Sequence, residues 1–137
     1  MRKHKFLGTR RIQAIIMTPT RELAIQVQNV LATLKHTPSE YDTLTVYGGV
    51  SIDGQTNALR RGVEFFVGTC GRVLDHIERG NIDFSDLKTV ILDEADQMLK
   101  QGFKEEIDKV SDFSLFYFST SNMSLTKTYS FFYDDRS

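Results

Sequence analysis

The chain has a single cysteine, Cys70. No internal disulfide can form, and a reducing compartment is the default. No apolar run approaches the roughly 20 residues needed to cross a bilayer, so neither a membrane span nor a membrane partner is expected. The basic start, Met1-Arg2-Lys3-His4-Lys5, lacks the apolar core of about 7–15 residues that follows it in a secretory signal. It reads as a solvated loop, with a nuclear-targeting cluster as the alternative. The net charge of -1 and a pI near 6.3 exclude binding to nucleic acid through a general positive field. Any such contact must come from a few placed groups. His4, His36 and His76 show no ligand spacing, which argues against a histidine metal centre. No internal repeat is present.

What is there suits one globular domain: 137 residues, 40% hydrophobic and 26% charged. Ile12–Thr18 is isoleucine-rich and reads as a buried strand. Thr18 and Pro19 are expected to cap and open the following helix. From Thr20 to Lys35 the residues Leu23, Val27, Leu31 and Leu34 recur at helical spacing. A loop at 36–42 leads to a second strand, Thr43–Tyr47, stopped by Gly48-Gly49. Ser51–Arg61 reads as a helix ended by Gly62. Val63–Val67 is a third strand, Gly71–Arg79 a helix closed by Gly80, and Lys88–Leu92 a fourth strand. Ala95–Val110 is helical with a break near Gly102.

Strands that alternate with helices, and that are mostly continuous apolar runs, indicate an α/β domain: a parallel sheet with helices on both faces. Ligands of such sheets bind beyond the carboxyl ends of the strands. Thr18-Pro19-Thr20-Arg21, Gly48-Gly49, Thr69-Cys70-Gly71-Arg72 and Asp93-Glu94 all stand at those ends. After Val110 the character changes. Residues 111–137 hold half of the 10 phenylalanines and seven serines, without Gly, Pro or Ala. No helical period is sustained there, so the tail reads as a strand-forming extension or as sequence foreign to the domain.

An acidic residue at the end of a buried strand can hold Mg²⁺ through water, and a neighbouring carboxylate can orient and deprotonate an attacking water. Asp93 and Glu94, after Val90-Ile91-Leu92, have that arrangement. The simpler reading is that they only cap the next helix. The full string VILDEADQML decides between them, because it resembles motif II of the DEAD-box RNA helicases. Pro19–Ala24 (PTRELA) is similar to their motif Ia, Gly48-Gly49 to their GG element, and Gly68-Thr69-Cys70-Gly71-Arg72 to TPGR, with Cys70 in the place of proline. Gly102-Phe103 is also common in the family. Order and spacing agree from about Arg11 to Val110. Asp75–Gly80 with Leu92–Phe103 is most similar to the nucleolar, Gu-type members.

The resemblance implies a partial RecA-like domain at 12–110, preceded by a basic leader at 1–11, followed by the atypical tail at 111–137, and truncated at both ends. It implies ATP and Mg²⁺ as cofactors. Asp93 would bind Mg²⁺ through water, Glu94 would be the catalytic base, and Asp96 would link the nucleotide site to neighbouring motifs. Thr20, Arg21, Gly49, Thr69 and Arg72 would lie along the backbone of single-stranded RNA. Contacts of that kind carry little sequence information. Cys70 is expected to be a small, inert substitute. The resemblance also implies elements that this sequence lacks: the Gly-x-x-x-x-Gly-Lys-Ser/Thr phosphate loop, an adenine-reading glutamine motif, the second RecA-like domain, and the Ser-Ala-Thr motif, for which 115–121 offers only a degenerate stretch. The expected function is therefore that of a piece of an ATP-dependent RNA helicase, intracellular, in nucleus, nucleolus or cytoplasm. The alternatives are an inactive RNA-binding or competitor fragment, or an incomplete gene model.

Overall fold

The structure, a computed structural model, describes residues 10–121. Most of the basic leader, Met1 to Thr9, and the end of the tail, Asn122 to Ser137, lie outside the described residues. Among the described residues four strands alternate with helices, the last strand being followed by two: β1 (Ala14–Thr18), α1 (Arg21–Thr33), β2 (Thr43–Val46), α2 (Ile52–Arg61), β3 (Phe65–Thr69), α3 (Cys70–Glu78), β4 (Thr89–Leu92), α4 (Ala95–Lys100) and α5 (Lys104–Ser121). The strands form one parallel sheet in the order β2-β3-β1-β4.

The order explains the strand compositions. β1 is flanked on both sides, and all five of its residues are buried. It therefore carries apolar residues at every position, where a half-exposed strand would alternate. In parallel register, partners point to the same face. Ile15, Phe66 and Val90 share one face; Ile16, Val67 and Ile91 share the other. The first face packs against α2, α3, α4 and α5 through Leu59, Val73, Ile77, Met98 and Ile107. The second packs against α1 through Ala24, Val27 and Leu31. Helices thus cover both faces, as expected. Chain direction accounts for the split. The step from β1 to β2 runs one way across the sheet and those from β2 to β3 and β3 to β4 run the other, so right-handed crossovers put α1 opposite the rest.

Several boundaries differ from expectation for physical reasons. Thr18 does not cap α1. It is the last, fully buried residue of β1, and its hydroxyl donates to the carbonyl of Thr20 at 3.0 Å. Thr20 is the cap, its Oγ1 accepting from the N–H of Leu23 at 3.2 Å, and Pro19 lies in the turn before it. Leu34 falls at the C-cap, 61% exposed, outside the apolar stripe. β3 starts and ends two residues later than its apolar run, and the backbone of Glu64 joins it to Gln13 and Asp42 at the strand openings. The break near Gly102 is real, with φ at 89°. Beyond it α5 continues to Ser121. The stretch 111–121 is helical backbone, which corrects the strand-forming reading of this part of the tail and leaves no strand at 115–121.

The ends of the strands away from the candidate site are fastened by charge. Arg10 lies 2.6 Å from Glu64 and 3.5 Å from Asp42, and Arg11 lies 3.2 Å from Asp83.

Two glycines, one buried in a strand and one exposed in a helix, have opposite demands. A Cβ on Gly68, in β3, would stand 2.6 Å from Cγ2 of Val46 and 2.8 Å from its carbonyl oxygen and from Cγ2 of Val73. Gly54, within α2, has nothing within 4 Å of that position. Gly68→Ala is expected to cost about 3 kcal/mol by overpacking, lowering the thermal midpoint by about 10 °C. Gly54→Ala is expected to raise stability by about 0.5 kcal/mol through helix propensity. Circular-dichroism melting of both variants checks the pair; an unchanged midpoint for Gly68→Ala contradicts the packing described.

Candidate nucleic-acid and nucleotide interface

All four strands point the same way, so their carboxyl ends form one edge. Along it, in the order β2, β3, β1, β4, stand Gly48-Gly49, then Thr69 to Arg72, then Thr20 and Arg21, then Asp93 to Asp96. The helix after β1 leaves on one face and those after β3 and β4 on the other. A crevice of the kind that receives ligands in open α/β sheets therefore opens on each side of β1. One is flanked by Thr69–Arg72 and Thr20-Arg21, the other by Thr20-Arg21 and the acidic run.

Each residue has a local reason for its place. Thr20 spends an acceptor lone pair on its helix cap and keeps a hydroxyl proton to donate. Thr69 is the N-cap of α3 but makes no side-chain capping bond, which leaves its hydroxyl uncommitted to the helix, and the first N–H groups of α3 stand at this edge. Gly49 has φ at +90°, a conformation that favours glycine, and no atom lies within 4 Å of a Cβ built on either Gly48 or Gly49. Arg21 is exposed, with its guanidinium carbon 5.2 Å from the Tyr47 ring centroid. Arg72 is not a freely solvated helix residue. Its Nη1 donates to the carbonyl of Val50 at 3.1 Å and to Oε1 of Gln55 at 3.2 Å. Both guanidiniums are thus held by the segment that follows β2.

At the other end of the row, the N–H of Asp93 donates to the carbonyl of Met17 at 2.9 Å, fastening the acidic run to β1. Glu94 occupies the N-cap of α4 but makes no capping hydrogen bond with its side chain. The capping explanation therefore fails for Glu94. Its backbone stands at φ 55° and ψ 50°, the one positive φ outside glycine among the described residues. A left-handed non-glycine residue costs on the order of 1 kcal/mol, and such residues cluster at functional sites. Among the described residues no group of three His, Cys, Asp or Glu side chains is placed to enclose a metal ion. Asp93 and Glu94 fit part of a Mg²⁺–nucleotide site, with the remaining ligands to come from water and phosphate.

Cys70 is buried, and burial pushes its thiol up to about 12. Its sulfur lies 3.0 Å from that of Met98, joining the start of α3 to α4. A neutral, enclosed thiol is the inert substitute expected.

A family model described as DEAD/DEAH box helicase matches residues 4–130. The chain belongs to the DEAD/DEAH box helicase family. It is 44% identical over 98 residues to the ATP-dependent RNA helicase DeaD of Haemophilus influenzae and 42% identical over 98 residues to that of Escherichia coli. Each alignment covers 72% of this chain and 16% of the relative, so the chain spans about a sixth of the length of the curated relatives it matches. Among solved structures, a DEAD box protein from Methanococcus jannaschii superposes with a TM-score of 0.70 at 44% identity, over 76% of this chain and 28% of that one. The yeast DEAD-box splicing factor Prp28 superposes with a TM-score of 0.73 at 26% identity, over 82% of this chain and 26% of that one. These matches establish the parallel α/β sheet as the RecA-like architecture of the DEAD-box domain. Among the described residues no helix is long and apolar enough to cross a membrane.

Sequence reading of this DEAD-box segment missed the residues behind the edge. Gln55, His76 and Asn81 are buried and hydrogen-bonded to one another. The available signal was His76 itself, a polar side chain on the apolar stripe of α3 beside Val73 and Ile77. Burial, with Arg72 next in effect, lowers the imidazole to about 4 from its ordinary 6.5. The unfolded chain therefore binds a proton between pH 6.5 and 4 that the folded chain refuses. Stability contributed by neutral His76 is fully present above about pH 6.5 and is lost as pH falls towards 4. At pH 5 the loss relative to pH 7.5 is about 2 kcal/mol. Urea unfolding of the native protein and His76→Gln at both pH values isolates it. The gap in stability between the two is expected to shift by that amount; a pH-independent gap contradicts the buried neutral ring.

Proposed function

We propose that this segment provides one wall of an RNA-binding, ATP-hydrolysing helicase site: the surface for a single-stranded RNA backbone and the carboxylate half of the nucleotide centre. The carrying observation is that three successive strand ends, β2, β3 and β1, each present backbone-contact groups on the same edge. Glycine backbone, hydroxyls, helix N-termini and two tethered guanidiniums are what a phosphodiester chain requires. Gly48 supports the reading. Its φ is ordinary and the space beside it is open among the described residues, which leaves room for a closely approaching RNA strand. Thr20, Arg21, Gly49, Thr69 and Arg72 are assigned this role.

In the same proposal Asp93 holds Mg²⁺ through water, Glu94 orients and deprotonates the hydrolytic water, and Asp96 couples the nucleotide to neighbouring motifs. Bound Mg²⁺ would neutralise charge on the transferred phosphoryl group. The left-handed backbone at Glu94 and its uncommitted side chain support the base assignment. In the complete enzyme this chemistry would be coupled to unwinding of RNA duplexes. The Asp75–Gly80 and Leu92–Phe103 stretches support a place near the nucleolar, Gu-type members and an intracellular site of action. The division at Val110 is one of composition, since α5 runs through it without interruption.

The polypeptide contains no Gly-x-x-x-x-Gly-Lys-Ser/Thr loop. It is expected to bind labelled oligo(U) at low salt without ATP and to hydrolyse ATP negligibly. Arg21→Ala and Arg72→Ala should each weaken RNA binding about 10-fold, while Asp93→Asn leaves it unchanged. Fluorescence anisotropy and phosphate release check both parts. Absence of RNA binding by the native protein sinks the RNA assignment, and RNA-stimulated turnover overturns the half-site reading.

A further inference from the structure

Among the described residues four polar side chains are buried, and three of them, Gln55, His76 and Asn81, belong to one connected network that ends on Arg72. Oε1 of Gln55 accepts from Arg72 Nη1 at 3.2 Å and lies 2.9 Å from Nε2 of His76. Nδ1 of His76 lies 3.1 Å from Nδ2 of Asn81, which also donates to Oγ1 of Thr56 at 3.2 Å.

The donor rules fix every proton in this chain. An amide nitrogen only donates, so Nδ1 of His76 accepts from Asn81. The imidazole proton is then on Nε2 and is donated to Gln55. Turning the Gln55 amide round would set its nitrogen against two donors, Nε2–H and the guanidinium, so its oxygen must face them. Both lone pairs of that oxygen are used, one by His76 and one by Arg72. A buried network in which every member is satisfied defines a single geometry, because any alternative leaves a buried polar group unpaired at a cost of about 1–3 kcal/mol.

We propose that Gln55 and His76 are positioning residues for Arg72: the ring sets the direction of the Gln55 oxygen, and that oxygen together with the Val50 carbonyl aims the guanidinium along the sheet edge. The geometry also joins three elements. Gln55 lies on α2, His76 and Arg72 on α3, and Val50 in the turn after β2. The two loops that carry Gly49 and Thr69 are therefore held at fixed spacing. A long, flexible arginine loses rotamer entropy on binding phosphate; here the network has already confined it. The neutral state of the ring is supported by its burial, which keeps the imidazole deprotonated down to about pH 4.

This inference rests on the RNA-backbone reading of Arg72, and the test separates the two. Anisotropy titrations of the full chain with labelled oligo(U), repeated over a series of KCl concentrations, give both affinity and salt slope. Arg72→Ala is expected to weaken binding about 10-fold and to lower the magnitude of the log–log salt slope by about 0.7. Gln55→Leu should reproduce both changes with Arg72 still present, and the double variant should bind no more weakly than Arg72→Ala alone. His76→Gln, whose amide nitrogen replaces Nε2, should retain most of the affinity and the full slope. A purely structural role for Gln55 would lower the melting midpoint and leave the slope of the folded fraction unchanged. A native slope in Gln55→Leu, or additive losses in the double variant, overturns the proposal. If Arg72→Ala binds like the native protein, the RNA reading of Arg72 has failed instead. An RNA-free arm then decides the positioning claim: the Arg72 guanidinium ¹H–¹⁵N signals of the native chain should show restricted rotation. Freely averaged signals overturn it, and this holds even where a variant fails to fold.

Discussion

The structure depends on the placement of β1 between β3 and β4. Five consecutive backbone partners tie it to β3, from Ala14 with Phe65 to Thr18 with Thr69, and four tie it to β4, from Ala14 with Thr89 to Met17 with Leu92. Because both ladders are parallel, the three strands end level. A slip of one residue in either ladder would turn Ile15 and Met17 out of the larger core and into the layer against α1. Ile15, Met17 and Phe66 are fully buried, so such a slip would force side chains of different volume into both close-packed layers. Register is thus secured by the core, and the row of polar groups at the strand ends inherits its alignment from it.

From that alignment follows a division of labour along one edge. The side towards β2 collects glycines, hydroxyls, helix N-termini and guanidiniums, the groups that the proposed function assigns to a phosphate backbone. The side at β4 collects carboxylates, the groups it assigns to a metal-bound nucleotide. β1 stands between them, and its terminal carbonyls touch both sides: Met17 accepts from the N–H of Asp93, and Thr18 O lies 3.9 Å from the sulfur of Cys70. A single strand end thus borders both halves of the edge. The confined Arg72 on one side and the left-handed backbone of Glu94 on the other are both local costs that a functional surface explains and a bare scaffold does not.

Much of this was legible in the sequence, for reasons particular to certain residues. The run from Ala14 to Thr18 announces a strand buried on both faces, and Pro19-Thr20-Arg21 and Asp93-Glu94 announce strand ends. The motif resemblance carried the family, which the comparisons then established. Local competition was harder to read. Thr18, placed just before Pro19, has the sequence context of a cap, and only the buried end of β1 shows that the task falls to Thr20. The continuation of α5 through 111–121 was hidden by a composition of aromatics and serines with weak helix preference. Of the Gln55–His76–Asn81 network only His76, a polar residue on an apolar stripe, left a trace in the sequence, because the members are 21 and 5 positions apart and meet only once β2, β3 and their helices are wound. A sequence exposes chemistry that lies within one turn; it conceals chemistry assembled by topology.

The central claim is that RNA lies along the carboxyl edge of the sheet, across β2, β3 and β1. Backbone amide NMR of the ¹⁵N-labelled chain titrated with single-stranded oligo(U) tests it most directly. The structure predicts that shift changes concentrate at residues 20–22, 48–51 and 69–72, with residues 62–64 and 82–88 at the opposite edge unmoved. Changes centred on that opposite edge, or spread evenly over the surface, would contradict it.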